Sequence, residues 1–318
     1  MNQTPFAFMA SGVSEFDPTL GGTITPYFWY DFTDTDTMTI VGNEIREIDS
    51  KGSNVGSLAK GDAVSATKYI TNYIPVTLQT DDGNYALFSG SAADNTNSTL
   101  ARRYGTGNST LDGNFGDDSP ATSIVILKPN WNSVTSTSWN RAVSFKGYNV
   151  NFAKKQPEEW TPAAMSINVS YPGNLYTATG SYATSNVDSI HIQSLDASTN
   201  STVRFSYSGS GDVTNGELNY YHSAVARLTS TGGSFATAEY GRGTGEYQST
   251  SFNGPRDGSN ASHEGYVIGS RSRTNEYTGC TFKLRHALLY DTTLTDTQIT
   301  NVLNSYKAAY PQDNLNGS

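Results

Sequence analysis

Glu47-Ile48-Asp49 is the stretch of this chain that comes nearest to catalytic chemistry. Alternate residues of a strand point to the same side. A strand reading E-x-D-x-x-E or E-x-D-x-E therefore lines up an acid, a helper carboxylate and a nucleophile, and retaining hydrolysis of a glycosidic bond needs two carboxylates that close. Here Ser50-Lys51-Gly52 follows and the closing glutamate is missing, so the stretch reads as a structural element. Glu158-Glu159-Trp160 reads as an exposed turn. His191, His222, His263 and His286 are widely spaced and form no H-x-H or H-x-x-x-H pair, so the sequence offers no zinc site. No G-x-S-x-G nucleophile elbow occurs. Gly241-Arg242-Gly243-Thr244-Gly245 neither follows a clear strand nor opens a helix, as a phosphate cradle must. The expectation is no catalytic residue and no enzyme.

The elements around these residues read as short strands joined by turns. Glycine (30), tyrosine (20), Thr, Ser and Asn dominate and only 15% of residues are charged, the make-up of many strands with polar, uncharged outer faces. Strands are expected over Tyr27–Phe32, Met38–Val41, Ile45–Ile48, Tyr85–Phe88 and Ile124–Leu127, with a hairpin from Ala142 to Phe152. Gly52–Gly61, Ala92–Pro120 and most of Gly232–Gly265 read as loop. The clearest signals lie near the C-terminal end. Phe282-Lys283-Leu284-Arg285 alternates as a half-buried strand, Ala287-Leu288-Leu289-Tyr290 continues it as a more buried run, and Asp291-Thr292-Thr293 breaks it. Thr295 and Gln298 then form a capping box, with Leu294 and Ile299 at the staple positions. Ile299, Val302, Leu303, Tyr306 and Tyr310 follow at helical spacing before Pro311. One outlying helix from about Thr295 to Ala309 is expected.

These stretches resemble the laminin-G-like, concanavalin A-like jelly rolls. Leu288-Leu289-Tyr290-Asp291 with Leu294-Thr295 is similar to the family's closing strand, and Tyr306 and Tyr310 lie on the short helix after it. Trp29-Tyr30-Asp31-Phe32-Thr33-Asp34 resembles the opening W-x-D-x-x-D strand, and Ile48-Asp49-Ser50-Lys51-Gly52 the W-x-D-K-S-G element. Tyr85–Gly90 is similar to the V-x-F-D-G-S strand and Ala121–Pro129 to the long F-T-I-x-x-V-x-K-P strand. Tyr171–Gly265 matches least. The resemblance implies an all-β concanavalin A-like (laminin-G-like) β-sandwich jelly roll with one short C-terminal helix, spanning residues 26–318 behind an N-terminal arm of residues 1–25.

The resemblance also directs attention to loops. Such folds often bind calcium through loop carboxylates, and Asp31, Asp34 and Asp36 would supply hard oxygen ligands. Their spacing is not that of an EF-hand, and turn chemistry accounts for them equally well; beyond calcium, no cofactor is expected. Such folds commonly read glycans by stacking sugars on aromatic rings, for which Trp131, Trp139, Tyr220, Tyr221, Tyr240 and Tyr247 are the candidates. The alternative is that these rings fill a core or a subunit interface. Phe6, Phe8 and Phe16 either anchor the arm on a neighbouring subunit or tuck under this domain.

Net charge −9 lacks the basic footprint of a nucleic-acid binder. No stretch has the apolar length of a membrane span, and the first ten residues lack the charged n-region of a signal peptide. The single cysteine, Cys280, excludes an internal disulfide framework and is expected to be a buried thiol. Two readings remain. One is a non-enzymatic virion protein on a phage or virus surface (capsid decoration, fibre or tail appendage), made in the host cytoplasm. It would be held to other virion subunits by its arm, be homo-oligomeric, and contact a host surface glycan. The other is a lectin-like carbohydrate-binding module of a bacterial surface or secreted protein.

Overall fold

A computed structural model describes residues 15–54, 56–60, 72–91, 96–98, 100–102, 120–130, 140–145, 148–153, 189–195, 200–206, 220–229, 232–238, 247–253, 266–269 and 281–315. The described strands in the first third of the chain are β1 (Phe28–Asp31), β2 (Met38–Val41), β3 (Glu44–Asp49), β4 (Ser57–Lys60), β5 (Asn72–Tyr73), β6 (Thr77–Gln79), β7 (Tyr85–Phe88), β8 (Gly90–Ser91), β9 (Thr96–Asn97) and β10 (Leu100–Arg102). The middle holds β11 (Ala121–Pro129), β12 (Asn140–Phe145), β13 (Tyr148–Ala153), β14 (Ser189–Leu195) and β15 (Asn200–Ser206). Then come β16 (His222–Thr229), β17 (Gly232–Ala238), β18 (Tyr247–Asn253), β19 (Tyr266–Ile268) and β20 (Phe282–Tyr290). The chain closes with helix α1 (Asp296–Ala309) and a 3-10 turn, Pro311–Asp313.

The protein is an all-β sandwich with one C-terminal helix. One layer runs β18-β17-β16-β11-β20, with β1 and β7 sharing the far edge of β20. The other runs β2-β3-β4-β10-β19-β12-β13-β14-β15. The turn of chain through β7 and β6 links them, because β6 pairs with both β7 and β3. A small sheet, β5-β9-β8, lies outside this ladder.

Strand alternation divides the apolar residues between two interiors. Ile124, Ile126, Val225, Leu288 and Tyr290 share one face and pack against Ile299, Val302, Leu303 and Tyr306 of α1. Val125, Leu127, Leu284, Leu289, Phe28 and Tyr30 lie on the opposite face and are also buried, as are Ile48, Leu58, Leu100 and Ile268 of the second layer. The order is thus helix, sheet, sheet. The helix begins where its signals predict: the Thr295 hydroxyl accepts from Gln298 N at 3.2 Å and the Gln298 side chain accepts from Thr295 N at 2.8 Å. Leu294 and Ile299 are both buried, which fixes the entry of the chain into the helix.

Two expectations are corrected. The stretches read as loop contain strands β4, β9, β10, β17 and β18. Ser57-Leu58-Ala59-Lys60 and Tyr247-Gln248-Ser249-Thr250-Ser251-Phe252-Asn253 carry little apolar alternation, and their neighbours in the ladder hold them instead. Ile45 and Ile48 are three apart yet both buried. A register shift in the β2–β3 pair reconciles this by placing an extra residue between them.

Phe16 of the expected arm takes one of the two places left open for it, under its own domain. Phe16 is buried against Trp29, His286 and Tyr306, with ring centroids 6.0, 4.5 and 5.6 Å away. Ser305 Oγ accepts from Asp17 N at 2.8 Å, the Tyr290 hydroxyl donates to Pro18 O at 2.9 Å, and Ile24 belongs to the same core. The chain from Glu15 onward is therefore part of the sandwich, because Phe16 plugs the gap between β1 and α1. Phe6 and Phe8, like Cys280, lie outside the described residues.

Candidate functional site

Two polar clusters occupy the helix-side face of β20, one on each side of Arg285-His286. The first explains the two opening motifs. Lys51 N donates to Trp29 O (2.8 Å), Ser53 N to Pro26 O (2.9 Å) and Asn54 N to Tyr27 O (2.9 Å), so the segment after β3 lies along β1 as an added edge. Gly52 is required there: a Cβ would stand 2.5 Å from Tyr27 O. This docking delivers the Lys51 ammonium to Asp31 and Asp34, each at 3.0 Å, and over the Trp29 ring at 4.4 Å.

Asp31 is buried, and its Oδ1 also accepts from Thr33 N (3.0 Å) and Thr33 Oγ1 (2.6 Å). Burial pushes its carboxyl up, but His286, Thr33 and Lys51 together hold it below the ordinary value. Asp34 accepts from Asp36 N at 3.1 Å and caps the 3-10 turn that starts there. The D-x-x-D-x-D run therefore divides its work between turn capping and an internal ion pair. The cation between Asp31 and Asp34 is a lysine of the chain itself, and among the described residues no group of three or more His, Cys, Asp or Glu could hold a metal. His286 is fully buried with Nδ1 3.3 Å from Asp31 Oδ1; burial lowers its pKa to about 4 despite the carboxylate, so the ring is neutral at pH 7.

The second cluster was not visible in the sequence. The β11–β20 register shifts between Ile126 and Leu127, which leaves Arg285 as an extra residue in β20. Instead of alternating outward, as expected for a half-buried strand, its side chain is 1% exposed. Nε stands 2.7 Å from Asp313 Oδ2, and Nη2 donates to Asp313 Oδ1 (2.8 Å) and Asp82 O (2.6 Å). Nη1 donates to Asn84 O at 3.1 Å. Gly83, at φ +73°, leaves room for the guanidinium; a Cβ there would stand 3.2 Å from Nη1. Tyr306 donates its hydroxyl to Asp313 Oδ2. Burial pushes the Asp313 carboxyl up, opposed by that phenol and by the guanidinium. Tyr221 and Tyr310 cover the guanidinium, 4.9 and 5.0 Å from its carbon. One side chain thus ties the β6–β7 turn, β20 and the C-terminal turn together.

The glycan candidates separate. Tyr221 is fully buried and Tyr220 is 7% exposed, its ring 4.6 Å from that of His222. Both rings fill the interior rather than face solvent, the alternative their composition left open; burial pushes the Tyr220 phenol up to about 12. Tyr247 opens β18. Trp131, Trp139 and Tyr240 lie outside the described residues. The incomplete hydrolase motif ends in structure: Asp49 accepts from Ser57 Oγ at 2.6 Å and Lys51 pairs with Asp31 and Asp34. Glu47 and Asp49 flank buried Ile48 and so point away from the sheet interior.

No protein-family description matches the chain, and no curated protein is significantly similar in sequence. Among solved structures, the binding domain of botulinum neurotoxin DC in complex with SialylT aligns at 9% identity and TM-score 0.47, covering 88% of this chain and 51% of that one. A botulinum neurotoxin type C structure aligns at 9% identity and TM-score 0.49, and the serotype D binding domain at 11% and 0.47, with the same coverages. The chain spans about half the length of these structures.

Proposed function

We propose that this chain is a non-enzymatic glycan-binding β-sandwich carried on the surface of a phage or virus particle. The observation that carries the non-enzymatic part is the fate of its one hydrolase-like strand. β3 presents Glu47 and Asp49, Asp49 is bonded to Ser57, and Lys51 beyond it is paired with Asp31 and Asp34. A sandwich whose buried charges, among the described residues, serve its own architecture leaves recognition to other side chains. Trp131, Trp139, Tyr240 and Tyr247 supply the ring faces on which sugars stack. The virion setting rests on the composition and the jelly-roll resemblance. Residues 1–14, with Phe6 and Phe8, are the tether to another virion subunit, and calcium is no part of this reading.

Two measurements test it together. Screening the purified chain against a glycan array should give saturable binding, lost on Trp131→Ala with Trp139→Ala. Immunogold labelling should decorate particles of the host virus. Label on a bacterial surface with no particle would favour the lectin-module alternative, and an array without any bound glycan would overturn the glycan reading.

A further inference from the structure

His286 is enclosed where the N-terminal segment, the sheet and the helix meet. In register it stands between Asp31 of β1 and Ile126 of β11. Its ring meets Phe16 at 4.5 Å, Tyr306 and Tyr310 at 5.7 Å each, and Trp29 at 6.5 Å. The residue is 0% exposed. Its polar neighbours are both at Nδ1: Asp31 Oδ1 at 3.3 Å and the Trp29 indole nitrogen at 3.4 Å. Nε2 is buried with no hydrogen-bond partner among the described residues. A protonated ring would carry a charged N–H into that apolar side of the enclosure, where nothing accepts it.

The other groups around this seat keep their charge between pH 7 and 5. Asp31 is held ionised against its burial by the ring itself, Thr33 and Lys51, and Lys51 and Arg285 remain cations. Burial raises the Tyr306 and Tyr310 phenols, which stay neutral. Asp17, beside Phe16, is held low by the Thr19 hydroxyl and by backbone amides. The walls of the seat differ in how they are tied. β1 is paired with β20 over four residues, and α1 buries five of its own. Residues 15–24 join no described strand ladder; Phe16, Ile24, the Asp17 N to Ser305 Oγ bond (2.8 Å) and the Tyr290 hydroxyl to Pro18 O bond (2.9 Å) hold them. Their turn is closed from within, because the Asp17 carboxylate accepts from Thr19 N at 2.8 Å and Gly21 N at 2.7 Å. A segment tied by so few contacts opens at a lower free energy than the fold as a whole.

We infer that residues 15–24 are an acid-released plug: protonating His286 lifts Phe16 out of its seat while both sheets and α1 stay folded. The inference depends on neither the glycan nor the virion reading. Hydrogen exchange followed by NMR tests it on the full chain. The Asp17 amide, bonded across to Ser305, reports undocking, and the amides of α1 report the core. The seated ring takes its proton near pH 4 and a solvated ring near its ordinary 6.5, so undocking should grow about twentyfold from pH 7 to 5. After correction for intrinsic exchange, the Asp17 amide should show that growth in wild type and little of it in His286→Phe. At each pH it should exchange through an opening far more frequent than that of α1. A second measurement follows the ring protons of His286 directly. Phe16→Ala admits water to the ring and should move its titration up toward 6.5. Equal protection of Asp17 and α1 would mean one cooperative unit and overturn the plug. Equal growth in His286→Phe would overturn the role of His286. Should that variant not fold, an unchanged His286 titration in Phe16→Ala would overturn the inference by itself.

Discussion

Arg285 is the largest fully buried side chain among the described residues, and its charge is paired. Removing one partner of a buried ion pair strands the other charge, at a cost of about 3–5 kcal/mol. Arg285→Met and Asp313→Asn should each lose stability on that order in chemical denaturation. Arg285→Met/Asp313→Leu should lose much less than the sum, because the stranded charge is gone. Additive losses would mean that the pair is not coupled. His286 predicts the behaviour in acid. Its folded pKa is near 4, below the ordinary 6.5, so the unfolded chain binds a proton that the folded chain refuses. Stability therefore rises with pH across that interval and falls on acidification, by on the order of 3 kcal/mol in all. The depressed Asp31 carboxyl adds a loss of the same sign below the ordinary carboxylate range. Melting temperatures between pH 7 and 4 should drop in wild type and drop less in His286→Phe; equal slopes would show that His286 is not the titrating group. Neither role was legible in the sequence. Arg285 and His286 read as part of an ordinary alternating strand, since the register shift that buries Arg285 arises between strands and leaves no local signature. Asp31, Asp34 and Lys51 were legible as motif residues, but their mutual ion pair depends on a docking of β1 and the Gly52 segment that only the tertiary fold creates.

At the scale of elements, α1 was the best-read part of the chain, because caps, staple and 3.6-residue period are all local. Its stability is tertiary. Leu303→Ala should cost about 2–5 kcal/mol through the cavity it leaves against the sheet. Thr295→Ala should cost about 1 kcal/mol by freeing the first-turn amides. Urea unfolding of both variants checks this, and equal losses would mean that the helix is held by its cap rather than by its buried face. The strands split along the same line. Those with an apolar run of their own, such as β1, β7 and β11, were expected close to where they lie. Polar strands such as β4 and β18 were not, since their partners rather than their own residues define them.

At the scale of the molecule, the described part of the expected arm packs on its own domain. A segment without period looks like a tail, yet Phe16 and Ile24 belong to the main core. Deleting residues 1–14 should leave the melting temperature nearly unchanged and abolish incorporation into particles. Deleting residues 1–22 should lower the melting temperature sharply, because loss of a buried phenylalanine costs roughly 3–5 kcal/mol of stability. Full incorporation of the shorter deletion would remove the tether from residues 1–14.

The central claim, binding without turnover, is tested most directly by incubating the purified chain with its best array glycan while following both bound ligand and new reducing ends. The account predicts saturable binding, unchanged in Glu47→Gln and lost when Trp131 and Trp139 are both replaced by alanine, with no new reducing ends. Reducing ends that accumulate with wild type and disappear with Glu47→Gln would contradict it.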